Sequence, residues 1–274
     1  MKFFILFLLS TTLLFGQSDS IKWVYSGVTG LNINQIALSN WTQGGDNALA
    51  WTLTGSFGAD YQSTTWSFYN NLKLAYGRTK LGSADFRTND NELYLENVVT
   101  YNIGWKVDPY FSNTVRTSVS DGFDYKVDPA VKIANFFDPG YVTQSIGLTY
   151  HVHNFNTRLG VALQETFTNK FRSYSDDPET TNKVEAFKLE TGLEAVTAAD
   201  YQLDENLFLT SRLRLFTRFT DMDVWDVRFD NTLTAKINKF LNVNLNILTV
   251  YEKSQSPKTQ LKESLQLGIN YNLF

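Results

Sequence analysis

The sequence predicts an all-β protein, a transmembrane antiparallel up-and-down β-barrel of about 12 strands. Three observations carry this expectation. Beyond residue 20, polar and apolar residues alternate with period 2 almost everywhere, and no apolar run is long enough for a membrane helix. The connections between alternating segments are short and long in turn. The chain opens with the layout of an export signal.

That opening, "MKFFILFLLSTTLLFGQ", has one charge at Lys2, an apolar run from Phe3 to Phe15, and Gly16. The run is too short to span a bilayer comfortably, so residues 1–16 are expected to be a cleaved signal peptide and residues 17–274 the barrel domain. Removal of Lys2 takes the formal charge from −4 to about −5.

The segments follow in order. The first, Val28 to Ser39, changes its apolar phase between Ile33 and Ile36, which predicts a bulge. Trp51, Leu53, Phe57 and Tyr61 then oppose Thr52, Thr54, Ser56 and Asp60, and Trp66, Phe68, Leu72, Leu74 and Tyr76 oppose Ser67, Asn71 and Lys73. Leu93, Leu95, Val99 and Tyr101 oppose Glu92 and Glu96; Phe111, Val115 and Val119 oppose Ser112, Thr114 and Arg116. Val142, Ile146, Leu148, Tyr150 and Val152 form one face of the next segment, followed by Phe155, Leu159, Val161 and Leu163 against Asn156, Arg158 and Gln164. Phe187, Leu189, Leu193 and Ala195 face away from Lys188, Glu190 and Glu194; Leu207, Leu209, Leu213 and Leu215 face away from Thr210, Arg212, Arg214 and Arg218. "WDVRFDNTLTAKI" sets Trp225, Val227, Phe229 and Leu233 against Asp226, Arg228, Asp230 and Thr232. In "LNVNLNILTVY" the branched aliphatics belong against lipid and Asn242, Asn244 and Asn246 in a wet lumen; Leu265, Leu267, Ile269 and Tyr271 complete the set. Short connections fall near residues 63–64, 107–109, 153–154, 200–203 and 238–239, and longer ones near 40–47, 78–91, 120–140, 170–183, 221–223 and 252–259.

Composition narrows the function classes. A mean hydropathy of −0.24 excludes a bundle of membrane helices but not a barrel, in which the two faces cancel. A pI near 5.3 argues against nucleic acid as a partner. The absence of cysteine removes disulfides, thiol catalysis and Cys-ligated metal. A secreted β-sandwich also alternates. Strands of ~10–14 residues exceed its usual lengths, and aromatics near segment ends, such as Trp51 with Tyr61 and Trp66 with Tyr76, suit two interfacial girdles.

The chain ends "INYNLF", similar to the assembly signal of outer-membrane barrels, although Phe274 falls out of phase with Leu267, Ile269 and Tyr271. With the leader ending "FGQ", the stretch "LSNWTQGGDNALAW" resembles a Bacteroidota outer-membrane family, domain of unknown function 3078; the matching residues are Asn40, Trp41, Gly44, Gly45 and Asn47. The resemblance implies a barrel in the outer membrane and no particular activity. The partners expected are outer-membrane lipid, the barrel-assembly machinery during biogenesis, and an envelope protein of unknown identity.

No catalytic, cofactor or metal site is expected. His151 and His153 lack a third ligand, and Ser145 lies roughly 20 Å along the same segment from His151. Asp176, Asp177, Glu179, Asp221 and Asp223 read as a solvated acidic rim rather than a calcium loop. Gly44 and Gly45 read as a turn with positive φ and Trp41 as part of the outer girdle; the alternative is a surface-loop determinant that docks a partner or folds into the lumen. The sharpest expectation is a charge ladder on adjacent strands: Glu190 opposite Arg214, Arg214 opposite Asp230, and Arg218 opposite Asp226, with turns centred near Gln202 and Met222. Its alternative is a constriction in which Arg212, Arg214 and Arg218 stand unpaired and select anions. The ladder favours a non-enzymatic structural or accessory envelope protein, the constriction a narrow porin-like channel.

Overall fold

A computed structural model describes residues 23–40, 42, 45–177, 180, 182–253 and 256–274. The strands are β1 (Trp23–Ile36), β2 (Ala48–Gln62), β3 (Trp66–Leu81), β4 (Arg87–Tyr101), β5 (Asp108–Thr117), β6 (Gly122–Asp124), β7 (Val131–Ala134), β8 (Gly140–Val152), β9 (Phe155–Phe167), β10 (Phe187–Asp204), β11 (Leu207–Arg218), β12 (Asp221–Lys236), β13 (Leu241–Tyr251) and β14 (Gln260–Asn272). All but β6 and β7 form one closed antiparallel barrel of twelve strands in sequential order. The seam closes where Val28–Ile33 of β1 pairs with Asn272–Leu267 of β14, so no strand edge is left unpaired.

The barrel is inside out relative to a soluble protein. Glu96, Ser112, Ser145, Arg158, Gln164 and Glu194 are buried, whereas Ile146 is 64% and Leu159 60% exposed. Alternation forces this division: residues i and i+2 share a face, so a strand with a wet lumen on one side presents its aliphatics outward. Aromatics cluster near both rims, with Trp66 on Tyr101 at 4.7 Å and Trp23 on Tyr61 at 5.3 Å at one end. Trp51 on Tyr76 at 5.9 Å and Phe167 on Phe187 at 5.1 Å lie at the other. Phe274 regains the outward face despite its phase: the Leu273 amide donates to the Gly27 carbonyl, and the phenyl ring lies where a Cβ on Gly27 would stand, 2.9 Å away.

Three expectations are corrected. The first strand is Trp23–Ile36, and its register with β2 runs unbroken, without a bulge; Ile36 simply continues the even-numbered face beyond the last outward aliphatic. The connection after β11 is a two-residue turn, because Asp221 and Asp223 already belong to β12. Strands β3 and β4 extend further than expected, to Leu81 and from Arg87, which shortens that connection. In the long link between β5 and β8 the hairpin β6–β7 forms, tied to the barrel wall at β4. Asn91 accepts from the Val119 and Ser120 amides, both at 2.9 Å, and the Tyr125 hydroxyl accepts from the Thr88 amide at 3.0 Å.

Candidate functional site

The lumen-facing positions of β4 carry Asp90, Glu92, Tyr94 and Glu96, and each meets a cation from another wall. Glu96 accepts from Arg212 of β11 at 2.7 Å and also binds Arg158 of β9. The same Arg212 donates to the Tyr94 hydroxyl at 2.9 Å. Arg228 of β12 donates to both oxygens of Glu92 at 2.9 and 3.0 Å, and Lys262 of β14 reaches Asp90 at 3.1 Å. Around the barrel, β4 lies five strands from β11 and six from β12, so these pairs cross the lumen. A circular twelve-strand barrel is about 24 Å wide between backbones, whereas Arg and Glu joined end to end span roughly 15 Å. The cross-section is therefore flattened along the line from β4 to β11 and β12, and the ion pairs brace it.

A second network joins β9 to β12. Arg214 donates to Glu194 at 2.7 Å and to Gln164 at 2.9 Å; Gln164 donates to Glu190 at 3.0 Å. Glu190 accepts from Arg218 at 2.5 Å and Lys188 at 3.0 Å, and Arg218 donates on to Asp226 at 2.8 Å. Between the two arginines the fully buried Phe216 ring faces guanidinium carbons at 5.5 and 5.6 Å, so its apolar faces are covered by cations rather than left against water. Near Arg158, the facing glycines Gly147 and Gly160 let Tyr110 lie close enough to bond Ser145 at 2.8 Å. A Cβ on Gly160 would sit 2.7 Å from the Tyr110 hydroxyl.

The expected opposition of charges on adjacent strands is corrected. Arg214 pairs in register with Val196 and with Arg228, not with Glu190 and Asp230; Arg218 pairs with Gly192 and Asp221. For Arg214 and Glu190 the cause is the β10–β11 turn, which centres on Glu205–Asn206, about three residues later than Gln202. There the Asp204 carboxylate accepts from the Glu205 amide at 2.8 Å. For Arg214 with Asp230 and Arg218 with Asp226 it is the β11–β12 turn at residues 219–220, earlier than Met222, with an irregularity at Thr217–Arg218. Glu190, Arg214, Arg218 and Asp226 nevertheless share one network through long diagonal side chains and Gln164. Asp230 does not join it; with Lys73 it lines a cavity of about 400 Å³, and neither has an ion-pair partner among the described residues. Asn32, Asn242 and Asn244 converge on the β1–β14–β13 wall, the Asn244 amide donating to the other two at 3.2 and 3.3 Å. Sequence reasoning missed Glu96, Arg158 and Glu92 as a set; their sign pattern was visible, but their partners sit on non-neighbouring strands.

In the first long loop, Asn40 has φ +53° and Gly45 φ +113°, whereas Trp41 and Gly44 lie outside the described residues. Asn47 pins two loops at once, accepting from the Leu38 amide through its side chain at 2.7 Å and from the Gly82 amide through its carbonyl at 2.7 Å. His153 occupies a turn at φ +46°, and Ser145 bonds Tyr110 rather than a histidine.

Residues 33–123 match the family described as "Protein of unknown function (DUF3078)". The matched segment contains the anionic wall, Asp90 to Glu96, but not the cations that answer it. No curated protein is similar to the chain in sequence. Among solved structures the chain is similar to an outer-membrane channel from Pseudomonas putida F1, at 14% identity over 90% of this chain and 94% of that one, TM-score 0.40. It is also similar to the translocator domain of the autotransporter NalP from Neisseria meningitidis, at 11% identity over 93% and 89%, TM-score 0.37. The NanC porin is similar at 8% identity over 90% and 100%, TM-score 0.41.

Proposed function

We propose that the protein is a non-enzymatic outer-membrane β-barrel, exported with a cleaved leader and folded by the barrel-assembly machinery. In this reading it serves as a structural or accessory component of the envelope, in assembly, secretion or surface binding, and not as a conduit. A closed barrel with an aliphatic outer face and rim aromatics suits lipid. The observation that carries the non-conducting role is the bracing of the lumen by Arg212–Glu96 and Arg228–Glu92, which occupies its narrow dimension with mutually neutralised charge. Most of the lumen carboxylates named above are held by arginine or lysine side chains, which suits a structural rather than a catalytic role. The envelope partner would be a protein, not nucleic acid. A second reading, a narrow porin-like channel, is favoured by the cavity in which Lys73 and Asp230 stand without ion partners among the described residues.

Conductance in planar bilayers separates the two. Purified wild type is expected to show no steady open level, and the double variant Arg212→Ala, Arg228→Ala to open one. A wild type with a steady, anion-selective conductance overturns the braced reading and establishes the channel.

A further inference from the structure

The outward face holds a row of three adjacent carboxamides that the described residues leave unsatisfied. Asn97 of β4 pairs in register with Asn113 of β5, and Asn113 with Gln144 of β8. Their strand neighbours on the lumen side, Glu96, Ser112, Thr143 and Ser145, are all buried, so the three carboxamides point outward. Each is flanked on its own strand, on both sides, by outward apolar residues: Leu95 and Val99, Phe111 and Val115, Val142 and Ile146. The row therefore lies within the apolar belt and not at a rim. Among the described residues none of the three carboxamides has a hydrogen-bond partner. Several other outward polar groups do: Ser211 bonds Asn231 at 2.8 Å, Thr157 bonds Thr197 at 3.0 Å, and Asn70, which adjoins Asn97, donates to the Ala59 carbonyl at 2.8 Å.

Three adjacent carboxamides facing hydrocarbon would leave donors and acceptors unpaired, which is costly. We infer that the β4–β5–β8 wall is an interface at which two copies of this barrel associate side by side in the membrane. A second copy fits on two grounds. The row has no charge, and every carboxamide both donates and accepts, so the surface that complements it is another row of carboxamides. Two copies inserted in the same direction are related by a two-fold axis along the membrane normal, and such an axis brings each depth to the same depth, so the row meets itself. Strand tilt slants the row over about 6 Å of depth, so the two rows cross at Asn113, the middle member, which meets its own copy nearest the axis.

The chain contains no cysteine, so one introduced thiol is unique. Asn113→Cys is compared with Leu245→Cys, which faces outward from β13, six strands away on the opposite wall. Each purified variant is reconstituted in phospholipid vesicles at low protein-to-lipid ratio and oxidised. Asn113→Cys is expected to give mainly disulfide-linked dimer and Leu245→Cys mainly monomer. Equal cross-linking of the two, or none with Asn113→Cys, overturns the interface. The triple variant Asn97→Leu, Asn113→Leu, Gln144→Leu is read by chemical cross-linking and by gel mobility before and after boiling. Retained heat-modifiability with dimer lost supports the inference, and a folded triple variant that still dimerises overturns it. A triple variant that fails to fold leaves the thiol comparison to decide.

Discussion

A carboxylate that is 1% exposed and bonded to two guanidiniums is stable only as part of a set, because each charge has lost its water. Glu96 is shared, and the arginines are not equivalent to it. Glu96→Gln keeps the shape but leaves Arg158 and Arg212 facing each other without a counter-ion. It is expected to lower the unfolding free energy by about 3–5 kcal/mol, read by tryptophan fluorescence during urea unfolding in detergent. Arg212→Met removes one donor while Glu96 keeps Arg158, so its loss should be smaller. Equal losses would mean that Glu96 does not serve Arg158 and Arg212 as a shared counter-ion, and a Glu96→Gln variant as stable as wild type would mean that the brace contributes nothing to the fold.

Loops outside the membrane are joined by a carboxylate of a different kind. Asp138, just before β8, accepts from the Asn169 and Lys170 amides, both at 2.8 Å, which couples the β5–β8 link to the loop between β9 and β10. Burial pushes this carboxyl up, but the backbone donors of Asn169, Lys170 and Phe171 outweigh it and hold it below the ordinary carboxylate range. The sign follows from that depression. The contact is fully present above the ordinary aspartate pKa, about 3.9, and is lost as pH falls below that value through the lowered one. Amide hydrogen exchange at residues 169–171 should therefore stay slow from neutral pH down to about pH 4 and lose protection below it. Asp138→Asn should abolish that pH dependence and leave the amides less protected throughout; unchanged protection in the variant would refute the coupling.

With twelve strands in sequential order, both ends of the described chain share one rim with the connections after β2, β4, β8, β10 and β12, and the long links β5–β8, β9–β10 and β13–β14 share the other with the two-residue β11–β12 turn. If the long-loop rim faces outward, tags placed at Ser83, Asp177 and Ser256 should be reached by antibody on intact cells, and tags at Asn154 and Lys239 only after permeabilisation. The reverse pattern would invert the barrel in the membrane. The orientation also decides how the envelope would meet the molecule, because Asp138, Asn91 and the β6–β7 hairpin all tie outer loops down onto the wall rather than leaving them free.

The sequence by itself determined which side of every strand is wet. Alternation with period 2 is a local property, so "LNVNLNILTVY" already assigned Asn242, Asn244 and Asn246 to the lumen, and the run of such segments already required closure into about twelve strands. It determined as well that Glu190, Arg214, Arg218 and Asp226 would look inward, since a two-residue slip changes partners without changing faces. Tertiary structure alone decided the partners. One reason is register: a turn at Glu205–Asn206 rather than near Gln202 moved Arg214 away from Glu190 and left Gln164 to link them. The other is distance across the lumen, because Glu96 meets Arg158 and Arg212 only when a closed and flattened barrel brings β4 toward β9 and β11. No periodicity along one strand records how far it lies from a strand five places away.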